Sequence, residues 1–235
     1  MAKKTGRPDA RQARIAAAKA AARRKQRRQQ WMITGTLAAA VVAVIAAVGV
    51  AVAVNLPKPS ATVDGVPRTP RLTAVGATTS PPWPAPADTA TAVTAAGLPM
   101  LGSEGSVEHI HAHVDVIVDG TSVPVPANIG ISSAGGISPL HVHDTTGVIH
   151  IESPAKVPFS LGQLFSEWQV SMAADHLGAL KIGGDKQFHA YVNGKPVSGN
   201  PAAIILNAHD EIALVYGTAA QQQKPPASYA FTAGE

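Results

Sequence analysis

From His109 to Gly120 the chain reads HIHAHVDVIVDG, and apolar and polar residues alternate along it. Ile110, Ala112, Val114, Val116 and Val118 fall on one side. His109, His111, His113 and Asp115, then Ile117 and Asp119, fall on the other. A period of two is the signature of a half-buried strand, so this stretch is predicted to present three imidazoles and a carboxylate from one face. Asp119-Gly120 predicts a tight hairpin turn into TSVPVP. There Pro124 and Pro126, which cannot donate to a ladder, predict an edge strand.

The stretch LHVHDTTGVIHIES, residues 140–153, predicts a second hairpin. Asp144 to Gly147 matches a type I turn, with Asp first and Gly fourth. That pairing sets His141 opposite His150 and His143 opposite Val148. His141, His143, His150 and Glu152 then share one face, and Leu140, Val142, Ile149 and Ile151 the other. A bulged turn with Gly147 in the left-handed region is the competing geometry and shifts the pairing by one. The clean separation of polar from apolar residues favours the unshifted register, because burial of one face specifies register.

Two short helices are expected. ADTATAVTAAG has Asp88 as N-cap and Gly97 just beyond its end. FSLGQLFSEW has Ser160 and Gln163 at capping-box spacing, Phe159 and Leu164 as a staple, and an apolar stripe of Leu161, Leu164, Phe165 and Trp168. QFHAYVNGKPV predicts a hairpin turning at Asn193-Gly194, and DEIALVYG a closing strand. The whole predicts an α+β domain, mainly antiparallel sheet with one or two helices, and its last elements are reminiscent of β-grasp domains.

Ahead of this domain lies a different pattern. Trp31 to Val54 contains no charged residue and is long enough, at about 1.5 Å per residue, to cross a hydrocarbon core of about 30 Å. Residues 1–30 hold eleven Lys or Arg against the single acid Asp9, whereas from Asn55 onward 8 basic residues face 14 acidic ones. Basic flanks stay cytoplasmic, so the reading is a single-pass membrane protein with its N-terminus inside and its C-terminal domain extracytoplasmic. A cleaved signal peptide competes, with Ala51-Val52-Ala53 as an A-x-A site, but the apolar run and its leader are longer than such peptides use. The basic tail is suited to anionic lipid headgroups. No aromatic precedes Trp31 to stack on a base, so no nucleic-acid partner is expected. Eight prolines between residues 55 and 86 predict a solvated spacer. The expected organisation is a tail over 1–30, a transmembrane helix over 31–54, a linker over 55–86 and an extracytoplasmic domain over 87–235.

Six of the nine histidines lie between residues 109 and 150, and the chain has no cysteine. Neutral imidazole binds zinc, copper, nickel and iron, and an H-x-H pair on a strand aims two rings the same way. His109, His111, His113, His141, His143, His150 and Glu152 are therefore the candidate ligands, for zinc or copper; without Cys or a placed Met, a blue-copper site is excluded and soft-metal selectivity is not expected. A solvated polar sheet face in a cell-envelope interaction module is the plainer explanation. A metal-dependent hydrolase or oxidase with Glu152 or Asp144 as base is a third, but the chain has no H-E-x-x-H, no G-x-S-x-G and no phosphate loop to identify a substrate. His176 and His209, in expected loops, and His189, on a strand outside the cluster, are read as structural.

From about Leu98 to the end, AGLPMLGSEG, HIHAHVDVIVDG, VPANIGI, LHVHDTTGVIHIESP, FSLGQLFSEW and YVNGKPV together resemble a family of bacterial extracytoplasmic domains of unassigned function, often membrane-anchored. The resemblance implies that location and no activity. Members resemble LHTHD where this chain has Val142, and commonly carry Gly where Gln169 follows Trp168.

Overall fold

The computed structural model describes residues 17–32, 62–222 and 225–234. The chain divides at Pro59 into two compact units. In the first, residues 17–32 form helix α1, exposed along its length. Among the described residues no helix is long and apolar enough to cross a membrane; the expected span lies outside them from residue 33 onward.

The second unit opens with a small hairpin of β1 (Thr62–Val63) and β2 (Val66–Pro67), followed by α2 (Thr89–Ala96). Strands β3 (Glu108–Val118), β4 (Thr121–Val123), β5 (Ile129–Ile131), β6 (Ile137–Val142) and β7 (Val148–Ser153) precede α3 (Leu161–Glu167). Then come β8 (Met172–Ala173), β9 (His176–Leu177), β10 (Leu180–Lys181), β11 (Lys186–Val192), β12 (Lys195–Val197) and β13 (Glu211–Thr218). The main sheet runs β12-β11-β13-β3-β7-β6-β5, with β4 paired to β3. Every pairing in it is antiparallel except the central one, β13 with β3, which is parallel. The domain is thus α+β, as expected, with a mixed sheet.

Local chemistry accounts for these elements. Asp88 accepts from the Thr91 amide and Gly97 closes α2 at φ 77°. Ser160 and Gln163 exchange bonds as a capping box on α3. Asp119-Gly120 and Asn193-Gly194 take positive φ at both positions, the geometry that matches the twist of a two-residue hairpin. Gly147 does adopt φ 89°, yet His141 still pairs with His150, so the register is the unshifted one. Gln169, at φ 58°, ends α3 in a conformation that glycine takes most easily, and its side chain donates back to the Ser166 carbonyl at 2.7 Å.

Ala112, Val114, Leu140, Val142, Ile149 and Ile151 form one buried core with Leu161, Leu164, Phe165 and Trp168 of the α3 segment. Burying each large side chain contributes about 1.5–3 kcal/mol, so this face fixes the sheet register. The expected linker is corrected here. From Thr62 on, the stretch belongs to the folded unit: Val66 and Trp83 are buried, Trp83 meets Trp168 edge to face at 5.7 Å, and Ala74 and Ala77 bridge to Met172 and Val170. Prolines space this segment, but its few large apolar residues find the helix, so the unit begins near residue 60.

Candidate metal centre

The histidines gather on three adjacent strands. Within the sheet His111 of β3 lies opposite His150 of β7, and His150 opposite His141 of β6, so three imidazoles occupy one rung. Opposed side chains on a sheet sit about 4.5–5.5 Å apart, close enough for rings to touch. The His111 and His150 rings meet edge to face at 4.5 Å, with Nε2 of the first 3.0 Å from Nδ1 of the second. His141 and His150 stack at 5.3 Å. His143, just past β6, folds back so that its Nε2 lies 3.1 Å from that of His141.

The next rung pairs His109 with Glu152. The Glu152 carboxylate serves several rings at once: Oε1 is 3.1 Å from His150 Nδ1, 3.6 Å from His109 Nε2 and 3.9 Å from His111 Nε2. Two ligand groups result, His141-His143-His150-Glu152 and His109-His111-Glu152, each with one donor atom per residue within 4.8 Å of the others. They share Glu152.

The centre of this face is buried and its rim is wet. His111, His141 and Glu152 are buried, while the His109 and His143 side chains are about half exposed. Burial, with the neighbouring rings of His143, His150 and His111 adding to it, pushes the His141 imidazole down to about 3, against the opposing bond to Ser138. It stays neutral at ordinary pH, as a metal ligand must. Its Nδ1 is 2.9 Å from the Ser138 carbonyl, which can only accept, so Nδ1 carries the hydrogen and Nε2 the lone pair. A backbone carbonyl holding the far nitrogen is the usual support of a metal-bound imidazole. Beneath it, Ser138 Oγ donates at 2.6 Å to Glu167, whose carboxyl is fully buried and raised well above the usual carboxylate range by that burial, against the opposing bond from Ser138.

His113 is brought elsewhere. Its Nε2 donates to the Thr146 carbonyl at 2.8 Å, and its Nδ1 lies 2.7 Å from Glu211 Oε2. It groups with Asp115 and Glu211, away from the other five histidines. Burial opposes a charge on His113, but the hydrogen bond and charge of Glu211 outweigh it and raise the imidazole; burial in turn raises Glu211. The pair therefore holds its proton tightly. Glu211 was not foreseen: it opens β13, and only the parallel pairing of β13 with β3 sets it opposite His113.

Asp144 accepts from the amide and hydroxyl of Thr146, which lower its carboxyl, and so it builds the turn. His176 is held by Ser171 and Asp175 and lies on β9 rather than in a loop. His209 sits in the turn before β13, its amide donating to the His111 carbonyl, and His189 is exposed on β11. A cleft of about 430 Å³ borders Ile110 and Ile151, on the opposite face of the sheet from His111 and His150.

Chemically, a tetrahedral ion with bonds of about 2.0–2.1 Å sets its donors about 3.3 Å apart. Within the first group, the 3.1 Å separations of His141 from His143 and of His150 from Glu152 are near that edge. The widest separations exceed it, so the rings must close in on an ion. Comparison with protein-family models, with curated proteins and with solved structures returned no match.

Proposed function

We propose that this protein is a single-pass, membrane-anchored module whose extracytoplasmic domain binds a divalent transition metal, zinc or Cu(II), through His141, His143, His150 and Glu152, with His109 and His111 alongside. The observation that carries the reading is the rung of three imidazoles on neighbouring strands, with His141 buried, neutral and anchored by Ser138. Four such donors make a complete site for zinc, and nitrogen with oxygen suits Cu(II) as well. Buffering, sensing or delivering metal at the cell surface fits a tethered domain of this kind.

The membrane anchor rests on the uncharged run 31–54 and its basic flank. Helix α1 adds support: it exposes Lys19, Arg23, Arg24, Lys25, Arg27 and Arg28 and also exposes Trp31, a residue favoured at the bilayer interface. The parallel central pair β3 and β13 and the helix α3 that follows β7 support the β-grasp likeness, and the quoted motifs support membership of the bacterial family they resemble.

One observation favours the competing reading of a metal-free interaction module: the rings already hydrogen-bond to one another, His111 to His150 and His141 to His143. Metal analysis separates the two. The full chain, carrying no histidine tag, is purified in detergent micelles, stripped by chelation and titrated with zinc and with copper. Stoichiometric binding that weakens at least tenfold in His141→Ala and in His150→Ala, but not in His189→Ala, supports the metal centre. Equal binding by all four proteins, or none by the wild type, leaves the interaction module.

A further inference from the structure

The third group of ligating side chains, His113, Asp115 and Glu211, plays no part in that centre. We infer that these three residues form a second, separate site for a divalent cation, with one nitrogen and two carboxylate ligands and with Tyr229 as its lid.

Two strands build it. In the parallel pairing of β13 with β3, Glu211 lies beside His113, and Asp115 follows two residues later on the same face. One donor atom from each comes within 4.8 Å of the others. Two carboxylates this close, one of them almost wholly buried, repel each other and gain from a cation between them. Glu211 supplies the independent sign of a ligand. It is 1% exposed, its Oε1 meets no donor, and the other carboxyl within its reach is that of Asp115. A buried acceptor left unpaired is costly, and an ion removes that cost.

His113 is oriented for the task. The Thr146 carbonyl takes its Nε2 hydrogen, which turns Nδ1 toward the carboxylates, and a ligating imidazole is commonly anchored in this way. The proton that Nδ1 shares with Glu211 Oε2 leaves to solvent when the ion enters. Tyr229 stacks on the imidazole, ring centroids 3.9 Å apart and planes 10° from parallel, and Phe231 packs against Tyr229 and His209. The C-terminal segment thus covers the site. Three protein ligands leave a position open, and two oxygens among them shift preference from copper toward zinc or manganese.

The test counts metal. The full chain in detergent micelles is stripped, loaded separately with zinc and with manganese, desalted and measured by mass spectrometry. The wild type retains one equivalent of manganese, and so does a variant carrying His141→Ala with His150→Ala. In Asp115→Asn and in Glu211→Gln manganese affinity falls at least tenfold, and zinc drops by one equivalent. Asp115 is only partly buried, so its variant keeps the fold if Glu211→Gln does not; near-ultraviolet circular dichroism verifies this. Manganese or zinc binding unchanged in Asp115→Asn overturns the inference, as does a wild type that retains no manganese and no zinc sensitive to Asp115. Because the two centres have separate variants, loss of one reading leaves the other standing.

Discussion

The Nδ1 hydrogen of His141 is donated to the carbonyl oxygen of Ser138 at 2.9 Å, and this bond leaves Nε2 as the nitrogen that faces the other imidazoles. The same Ser138 uses its hydroxyl to hold Glu167. A buried ring and a buried carboxyl are thereby tied to one residue, and each has a consequence for stability.

Burial raises the Glu167 carboxyl well above its ordinary value of 4.5, so the folded chain holds this proton to higher pH than the unfolded chain does. The folded state then binds the extra proton, so stability is complete below pH 4.5 and declines as pH rises. Glu167→Gln removes that decline. The variant is expected to be about 1–3 kcal/mol more stable than the wild type at pH 7.5, and no more stable at pH 4. Urea denaturation midpoints at both pH values measure it, and parallel pH profiles would count against a buried neutral carboxyl.

His141 works with the opposite sign. Unfolded, it takes up a proton below about pH 6.5; folded, it refuses one until about pH 3. Its contribution is intact above pH 6.5 and is lost as pH falls toward 3, by at most about 1.4 kcal/mol per pH unit. Metal-free protein is therefore expected to lose stability on acidification through this window, with a shallower slope in His141→Gln. Zinc should raise Tm at pH 7.5 and do so progressively less below pH 6, where protons compete for the same nitrogens. Thermal scans with chelator and with zinc, at several pH values, read both effects.

The start of the folded unit gives a third prediction. Trp83 fills space against Trp168 and donates to the Thr79 carbonyl, while Trp168 donates to the Trp83 carbonyl. Trp83→Ala should cost about 3–5 kcal/mol. A chain beginning at residue 87 should melt far below one beginning at residue 60; equal Tm values would return residues 62–86 to the role of spacer.

Much of this was legible in the chain. Alternation at 109–118 and the Asp144 to Gly147 turn foretold which residues share a face and that His141 meets His150, because register follows from turn geometry and one buried face. The capping residues Asp88, Ser160 and Gln163 announced both helices through short-range bonds. What was hidden depends on contacts between distant segments. No local signal shows that β13 enters beside β3, so Glu211 read as an ordinary polar start of a strand and His113 as a member of the main cluster. Proline content concealed the packing of Val66 and Trp83 for the same reason: composition reports average solvation, and two buried side chains scarcely alter it. Burial of the histidine face was equally invisible, since a polar face is ordinarily a wet one.

Membrane topology can be tested apart from the metal. In intact cells, protease added outside should digest the unit from residue 60 onward and leave the basic tail, and the protein should stay with the membrane fraction after a high-salt wash. A C-terminal unit protected until the cells are lysed would reverse the proposed orientation.

X-ray absorption at the zinc edge of the stoichiometrically loaded full chain reads the ligands of the ion themselves. The expected spectrum has a first shell of nitrogen and oxygen only, at about 2.0–2.1 Å, with the outer-shell scattering of at least two imidazoles, lost in His141→Ala with His150→Ala. A shell of water oxygens without imidazole, or a spectrum indifferent to those substitutions, would contradict it.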